Sequence, residues 1–218
     1  ETLKYFRSGY FEIGGQQFYV SRSGFTNELG YEIYCNGNET DHLALWDHIM
    51  ACGASHGLEF SSCRAMTLRR IEGGILSNLT DMTPNMTPFE AGLAPFVEMD
   101  QGDFIGRNAL VSKDTRSCLF GITCETATPA SGAVVLDGDV AVGHVTAGIP
   151  SPTLVLGVGY VRFGVPGDWV GRSLTMRLPD GSIHDTQIVD VPFFDREKAI
   201  VRGLDRSIPK RPTVGIQA

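Results

Sequence analysis

Six short β-rich runs dominate the second half of the chain, at residues 118–124, 133–136, 140–147, 155–163, 174–178 and 184–190. Their spacing is close to ten residues, and the turn dipeptides Asp137-Gly138, Pro166-Gly167 and Asp180-Gly181 fall between them. Short strands at even spacing, punctuated by residues that tolerate tight turns, predict a small antiparallel barrel or sandwich. A domain boundary is placed at residue 115, with a β-barrel domain over 116–203 and a loose tail over 204–218, where two prolines occur.

The first 115 residues mix both periods. Two β-rich runs flank Gly14-Gly15 within 11–20 and predict a hairpin, and Tyr31–Tyr34 alternates as a strand. Asp41 to Met50 reads as a helix capped by Thr40 or Asp41 and closed by Gly53, with Leu43, Trp46 and Met50 as its apolar stripe. A second helix opens at Ser61-Ser62, runs to Glu72 and ends at Gly73-Gly74. Residues 78–88 form a long polar loop, 93–99 a strand and 106–113 a short helix. The fold class is therefore α+β, with a small antiparallel β-barrel at the C-terminal end.

Composition narrows the function classes. The 218 residues carry a formal net charge of −7, which argues against a nucleic-acid partner, since phosphate neutralisation needs clustered Lys and Arg. No apolar run approaches the ~20 residues needed to span a membrane. Five cysteines, an odd number without a CxxC pair, fit reduced thiols in a cytoplasmic protein. No phosphate loop, H-E-x-x-H or Ser-His-Asp order is present, no metal site is expected, and the scattered histidines read as structural or solvated.

One segment carries recognisable chemistry. In Arg22–Tyr34, Phe25 lies between flexible residues and can present a flat apolar face, while Glu28 and Glu32 supply carboxylates four residues apart. Glu32 faces opposite to Tyr31 and Ile33 on a strand. A carboxylate beside an aromatic face suits a flat heterocycle with ring N–H donors, through two parallel charge-assisted bonds. The competing reading is a β-turn with solvated acids.

The stretch Arg22-Ser-Gly-Phe-Thr-Asn-Glu-Leu-Gly-Tyr-Glu-Ile-Tyr34 resembles the characteristic segment of the glycine-cleavage T-protein (aminomethyltransferase) family. The likeness continues in order through Leu68–Gly74, Thr87–Leu93, Asp103–Leu110, Val142–Gly148 with Ser151–Leu154, and Val191–Phe194, covering roughly residues 1–203. It implies the C-terminal part of the family's folate-binding fold followed by its β-barrel, and tetrahydrofolate as cofactor. It also implies pterin contacts from Phe25, Glu32 and Tyr34, with Glu28 as a second choice.

Two departures matter. Aminomethyltransferases carry an arginine for the folate tail ahead of the second helix; aligned on Glu72 that position is Met66, and Arg64 is near but out of register. The run Arg69–Ser77 and the opening Leu3-Lys4-Tyr5-Phe6 instead resemble the demethylase branch, typified by dimethylsulfoniopropionate demethylase. The family's catalytic Asp belongs to an upstream part, so no catalytic residue is expected here, and the chain alone is expected to be inactive. The chain, opening on Glu1, reads as part of a longer protein, completed by its own N-terminal part or by a second chain. The expected activity is methyl transfer from a small sulfonium or N-methyl donor, giving 5-methyltetrahydrofolate. Aminomethyl transfer with a lipoyl carrier protein, a non-catalytic folate-binding module, and the C-terminal segment of a larger fusion are the alternatives.

Overall fold

The structure, a computed structural model, describes residues 3–207. Two compact units divide the described residues: the first takes 3–69 with 197–207, the second 70–196. The expected boundary at residue 115 lies inside the second unit. Most of the expected tail, residues 208–218, lies outside the described residues.

In the first unit, β1 (Ser8–Ile13) and β2 (Gln16–Ser21) form the expected hairpin. Gly14 and Gly15 turn the chain at φ 60° and 79°, the left-handed pair that a two-residue hairpin loop demands. The third strand, β3 (Glu32–Tyr34), adds antiparallel to β2, giving the order β1-β2-β3. Strand alternation sorts this sheet into two faces. Phe18 and Val20 are buried against Leu45 of α1 (His42–Ala54), with Ile13, Ile33 and Ile49 packed around them. The opposite face carries polar and aromatic residues and stays open.

The helix α1 starts as its sequence predicts. Asp41 caps it, accepting from the Ala44 amide at 3.0 Å, and Gln16 brackets the Asp41 backbone with bonds of 2.8 and 3.1 Å. Two expectations fail here. The stripe Leu43-Trp46-Met50 does not face the core: Leu43 is 70% exposed and Trp46 packs edge-on against the exposed Phe60, while Leu45 is the buried residue. Gly53 does not close the helix, which runs on to Ala54. Instead Leu58 folds back to within 2.4 Å of where a Gly53 Cβ would sit, so a side chain is excluded there.

The second helix, α2 (Cys63–Glu72), ends as expected, with Gly74 at φ 72°. A strand over 93–99 does not form: Ala94–Phe96 make a 3-10 turn with Pro95 in its first positions. Proline has no N–H for a ladder and its fixed φ favours such a turn. The short helix α3 spans Arg107–Leu110.

The six predicted runs become β4 (Leu119–Cys124), β5 (Val134–Asp137), β6 (Val140–Ser151), β7 (Leu156–Phe163), β8 (Ser173–Arg177) and β9 (Ile183–Val189). They close into an antiparallel barrel in the order β4-β7-β6-β5-β8-β9, with β9 pairing back onto β4. Ile122, Val135, Val145, Val161, Met176 and Ile188 fill its interior, all at most 1% exposed. Phe163 and Trp169 stack in parallel at 3.9 Å between ring centroids.

Candidate functional site

Glu32 opens β3 on the open face of the first unit's sheet. Its Oε2 accepts from the Ser23 hydroxyl at 2.5 Å and from the Tyr34 hydroxyl at 3.2 Å. Ser23 is itself fixed by a 2.7 Å bond to Ser21, the direct cross-strand partner of Glu32. Both bonds reach Oε2; Oε1 accepts from none of the described residues. The carboxylate is thus oriented through one oxygen and presents the other. The charge of Glu32, with lesser help from desolvation and the shared hydrogen bond, holds the Tyr34 phenol above its ordinary value, so Tyr34 remains a donor.

The sheet places Glu32 and Tyr34 together because residues two apart on a strand share a face. Phe25 sits two residues beyond Ser23 in the loop and is 37% exposed. Glu28 is engaged differently: it pairs with Arg69 of α2. Asn27, in the left-handed region at φ 58°, is buried and accepts from Lys198 at 2.7 Å. Arg64 lies exposed on the first turn of α2, and among the described residues it is Arg69 that reaches the loop. Arg69 carried no signal as a partner of the loop, because the pairing spans 41 positions. Beside Tyr34, a groove of about 660 Å³ is lined by Tyr10, Gln17, Tyr19, Asn36 and Glu39. No group of three or more His, Cys, Asp or Glu able to hold a metal occurs among the described residues.

In the second unit, the motif residues build structure. Glu72, fully buried, accepts from Ser151 at 2.5 Å and from the Thr153 hydroxyl at 3.1 Å, while Thr87 and Glu90 bond each other reciprocally. Asp81, also fully buried, accepts from Arg70, the Ser77 amide and Thr146, each at 2.8 Å. Arg70 of α2 thus finds its carboxylate in the polar loop over residues 78–88. Burial, with a lesser push from the Asp81 charge, raises the Tyr160 phenol far above its ordinary range, and its hydroxyl donates toward the carbonyls of Arg70, Ile71 and Ile75.

Comparison with known proteins decides the family. A model described as the GCVT N-terminal domain matches residues 1–101, and one described as the glycine cleavage T-protein C-terminal barrel domain matches residues 118–195. The chain belongs to the glycine-cleavage T-protein family. It is 30% identical over 201 residues to an aminomethyltransferase of Saccharopolyspora erythraea, covering 89% of this chain and 54% of that one. It is 33% identical over 204 residues to an aminomethyltransferase of Caldanaerobacter subterraneus subsp. tengcongensis, covering 90% and 54%. A trimethylamine-oxide aldolase of Ruegeria pomeroyi is 31% identical over 208 residues, covering 91% of this chain and 26% of that one. The crystal structure of glycine cleavage system aminomethyltransferase T from Bartonella henselae superposes with a TM-score of 0.70 at 27% identity, covering 82% and 50% of the two chains. This T-protein family member thus spans about half the length of the aminomethyltransferases it matches. Its closed barrel agrees with the barrel that the family likeness implied. No described helix is long and apolar enough to cross a membrane.

Proposed function

We propose that this chain supplies part of the folate site of a tetrahydrofolate-dependent one-carbon transferase, with aminomethyl transfer the reaction its relatives support best. The observation that carries this reading is Glu32, held through Oε2 by Ser23 and Tyr34 with Oε1 left to accept. The donor set fits the group. An aminopyrimidine edge offers N–H donors, and an ionised carboxylate held in one orientation accepts them with charge assistance. Tetrahydrofolate supplies the nitrogen that accepts the carbon unit. Glu32 and Tyr34 orient the pterin, Phe25 covers its face, and Arg64 offers a cation for the ligand's carboxylates. Glu28, through Arg69, holds the loop in shape rather than touching the ligand. Such positioning is the main protein contribution to a displacement, because it converts a bimolecular step into a nearly unimolecular one. The catalytic carboxylate and a lipoyl carrier protein belong to this proposal for the whole protein, as does the functional division at residue 115.

A second reading, demethylation of a small sulfonium or N-methyl compound, is favoured by one residue. Met66, 40% exposed, stands where the aminomethyltransferase pattern has an arginine. The trimethylamine-oxide aldolase among the relatives supports the same direction.

Calorimetry of tetrahydrofolate binding to the full-length protein and its Glu32→Ala variant tests the site. Losing a charge-assisted contact weakens binding by about 1.5–3 kcal/mol; unchanged binding removes the pterin from this loop. Dependence of turnover on a lipoyl carrier protein then selects aminomethyl transfer, and 5-methyltetrahydrofolate formed without one selects demethylation.

A further inference from the structure

We infer that the cavity beside Arg22 in the first unit binds a small monocarboxylate with a short apolar chain, whose carboxylate serves as the missing counter-ion of Arg22. Arg22 continues the inward face of β2: Phe18, Val20 and Arg22 alternate along the chain and are 2%, 7% and 8% exposed. Its backbone extends the ladder, with the Arg22 amide donating to the Arg7 carbonyl at 2.9 Å and the Arg22 carbonyl accepting from the Phe6 amide at 3.1 Å. A guanidinium therefore follows two apolar residues on the same buried face.

The donors of Arg22 are largely unspent. Its guanidinium carries five N–H groups. Among the described residues, Nη1 donates to the Leu3 carbonyl at 2.9 Å, Nε is buried with no acceptor, and no carboxylate stands within ion-pairing distance. Nη2 lies beside Gly203, at φ 75°, where a Cβ would come within 2.8 Å of it and 3.2 Å of Leu29. A buried charge without a partner is costly, which is why such groups are normally paired. The edge left over, Nε with Nη2, suits two parallel bonds to one carboxylate.

A cavity of about 400 Å³ opens on Arg22, and its other charged walls are Glu28, Asp205 and Arg206. Glu28 is spent on Arg69, and Asp205 accepts from the Ser207 amide at 2.8 Å. Arg206 is exposed and donates through Nε to the Gly203 carbonyl at 3.3 Å. Lys4 and Arg7 are exposed and do not line the cavity. Two acids on the wall repel a dianion such as phosphate more than a single negative charge. Leu29 and Ile200 give the cavity an apolar side, and the Tyr31 hydroxyl offers a further donor. The pterin anchor lies elsewhere: Tyr31 comes one residue before Glu32 and so turns to the face opposite Glu32 and Tyr34. Carboxylate binding here is independent of the folate reading.

The test is calorimetric titration of the full-length protein with butyrate, its neutral isostere butyramide and inorganic phosphate, at constant ionic strength. Saturable binding of butyrate is expected, with butyramide and phosphate each at least about tenfold weaker. Arg22→Met should weaken butyrate at least about tenfold and Tyr31→Phe about fivefold, as charge-assisted bonds are lost. Butyrate should also raise the melting temperature of the parent and leave that of Arg22→Met unmoved. Circular dichroism verifies folding; should Arg22→Met not fold, Tyr31→Phe and the butyramide comparison decide. Absence of saturable butyrate binding, equal binding of butyramide or phosphate, or unchanged affinity in the folded variants overturns the inference. Saturating tetrahydrofolate should leave the butyrate affinity within about twofold. Displacement of butyrate by tetrahydrofolate would make this cavity part of the folate site and overturn a separate carboxylate site, while leaving the folate reading intact.

Discussion

Replacing Asp81 with alanine should destabilise the protein by about 3–5 kcal/mol, the cost of leaving one partner of a buried ion pair without the other. The structure sets where in that range the loss falls. Asp81 is fully buried and its partner Arg70 shows only 7% of its side chain. The carboxylate accepts three bonds of 2.8 Å, from Arg70, the Ser77 amide and Thr146, and all three lose their acceptor at once. Arg70 keeps a bond to the Ile75 carbonyl at 3.1 Å, which softens the penalty toward about 3 kcal/mol. Asp81→Asn preserves shape and one acceptor oxygen, and should cost less than the alanine. The double variant Arg70→Met, Asp81→Leu removes both charges together and should recover most of the loss, because hydrophobic isosteres of a buried pair are often neutral. Urea unfolding followed by circular dichroism reads these differences from midpoints at constant slope. An Asp81→Ala protein within about 1 kcal/mol of the parent, or a double variant worse than the single, would refute the assignment of this pair as the buried polar hub.

Other outcomes follow from the second unit. Gly148→Ala should destabilise by about 1–3 kcal/mol, since its Cβ would sit 2.0 Å from the Pro129 carbonyl oxygen; thermal melting checks it. Tyr160→Phe should cost about 1–2 kcal/mol, as buried carbonyls lose a donor. Burial keeps the Tyr160 phenol protonated above its ordinary value of 10.0, so above that pH the unfolded chain releases the proton first and stability falls. Alkaline unfolding should therefore be shallower in Tyr160→Phe. Hydrogen bonds from Arg116 hold the Asp114 carboxyl down to about 2; this exposed group should titrate there by NMR and return toward 3.8 in Arg116→Ala.

The barrel was legible because its strands are short β-rich runs at even spacing, with the turn dipeptides Asp137-Gly138, Pro166-Gly167 and Asp180-Gly181 among them, all local signals. The hairpin was legible for the same reason, and its two-residue loop also fixes that Tyr10 faces Tyr19, a register the sequence alone would have yielded. Glu32 and Tyr34 share a face by simple alternation. What failed was tertiary. Two apolar stripes compete on α1, and Leu45 with Ile49 rather than Leu43 with Trp46 meets the sheet. The 93–99 run is β-rich in composition, yet Pro95 turns it. The partners of Arg69 and Arg70, in the motif loop and at Asp81, lie too far along the chain for periodicity to suggest them.

The closure of the barrel also orders its assembly in time. The pairs β5-β6, β6-β7 and β8-β9 join neighbours along the chain and can form by zipping outward from their turns. The seam is different: Gly121 must find Val189, so the ring shuts only after the chain between them has been drawn together. That contact carries the largest loop-closure entropy in the barrel, and such non-local pairings slow folding. Until it forms, β4 and β9 each present a row of unpaired backbone groups, the template on which another chain can add. The interval before the seam closes is therefore when this chain is most prone to associate with copies of itself.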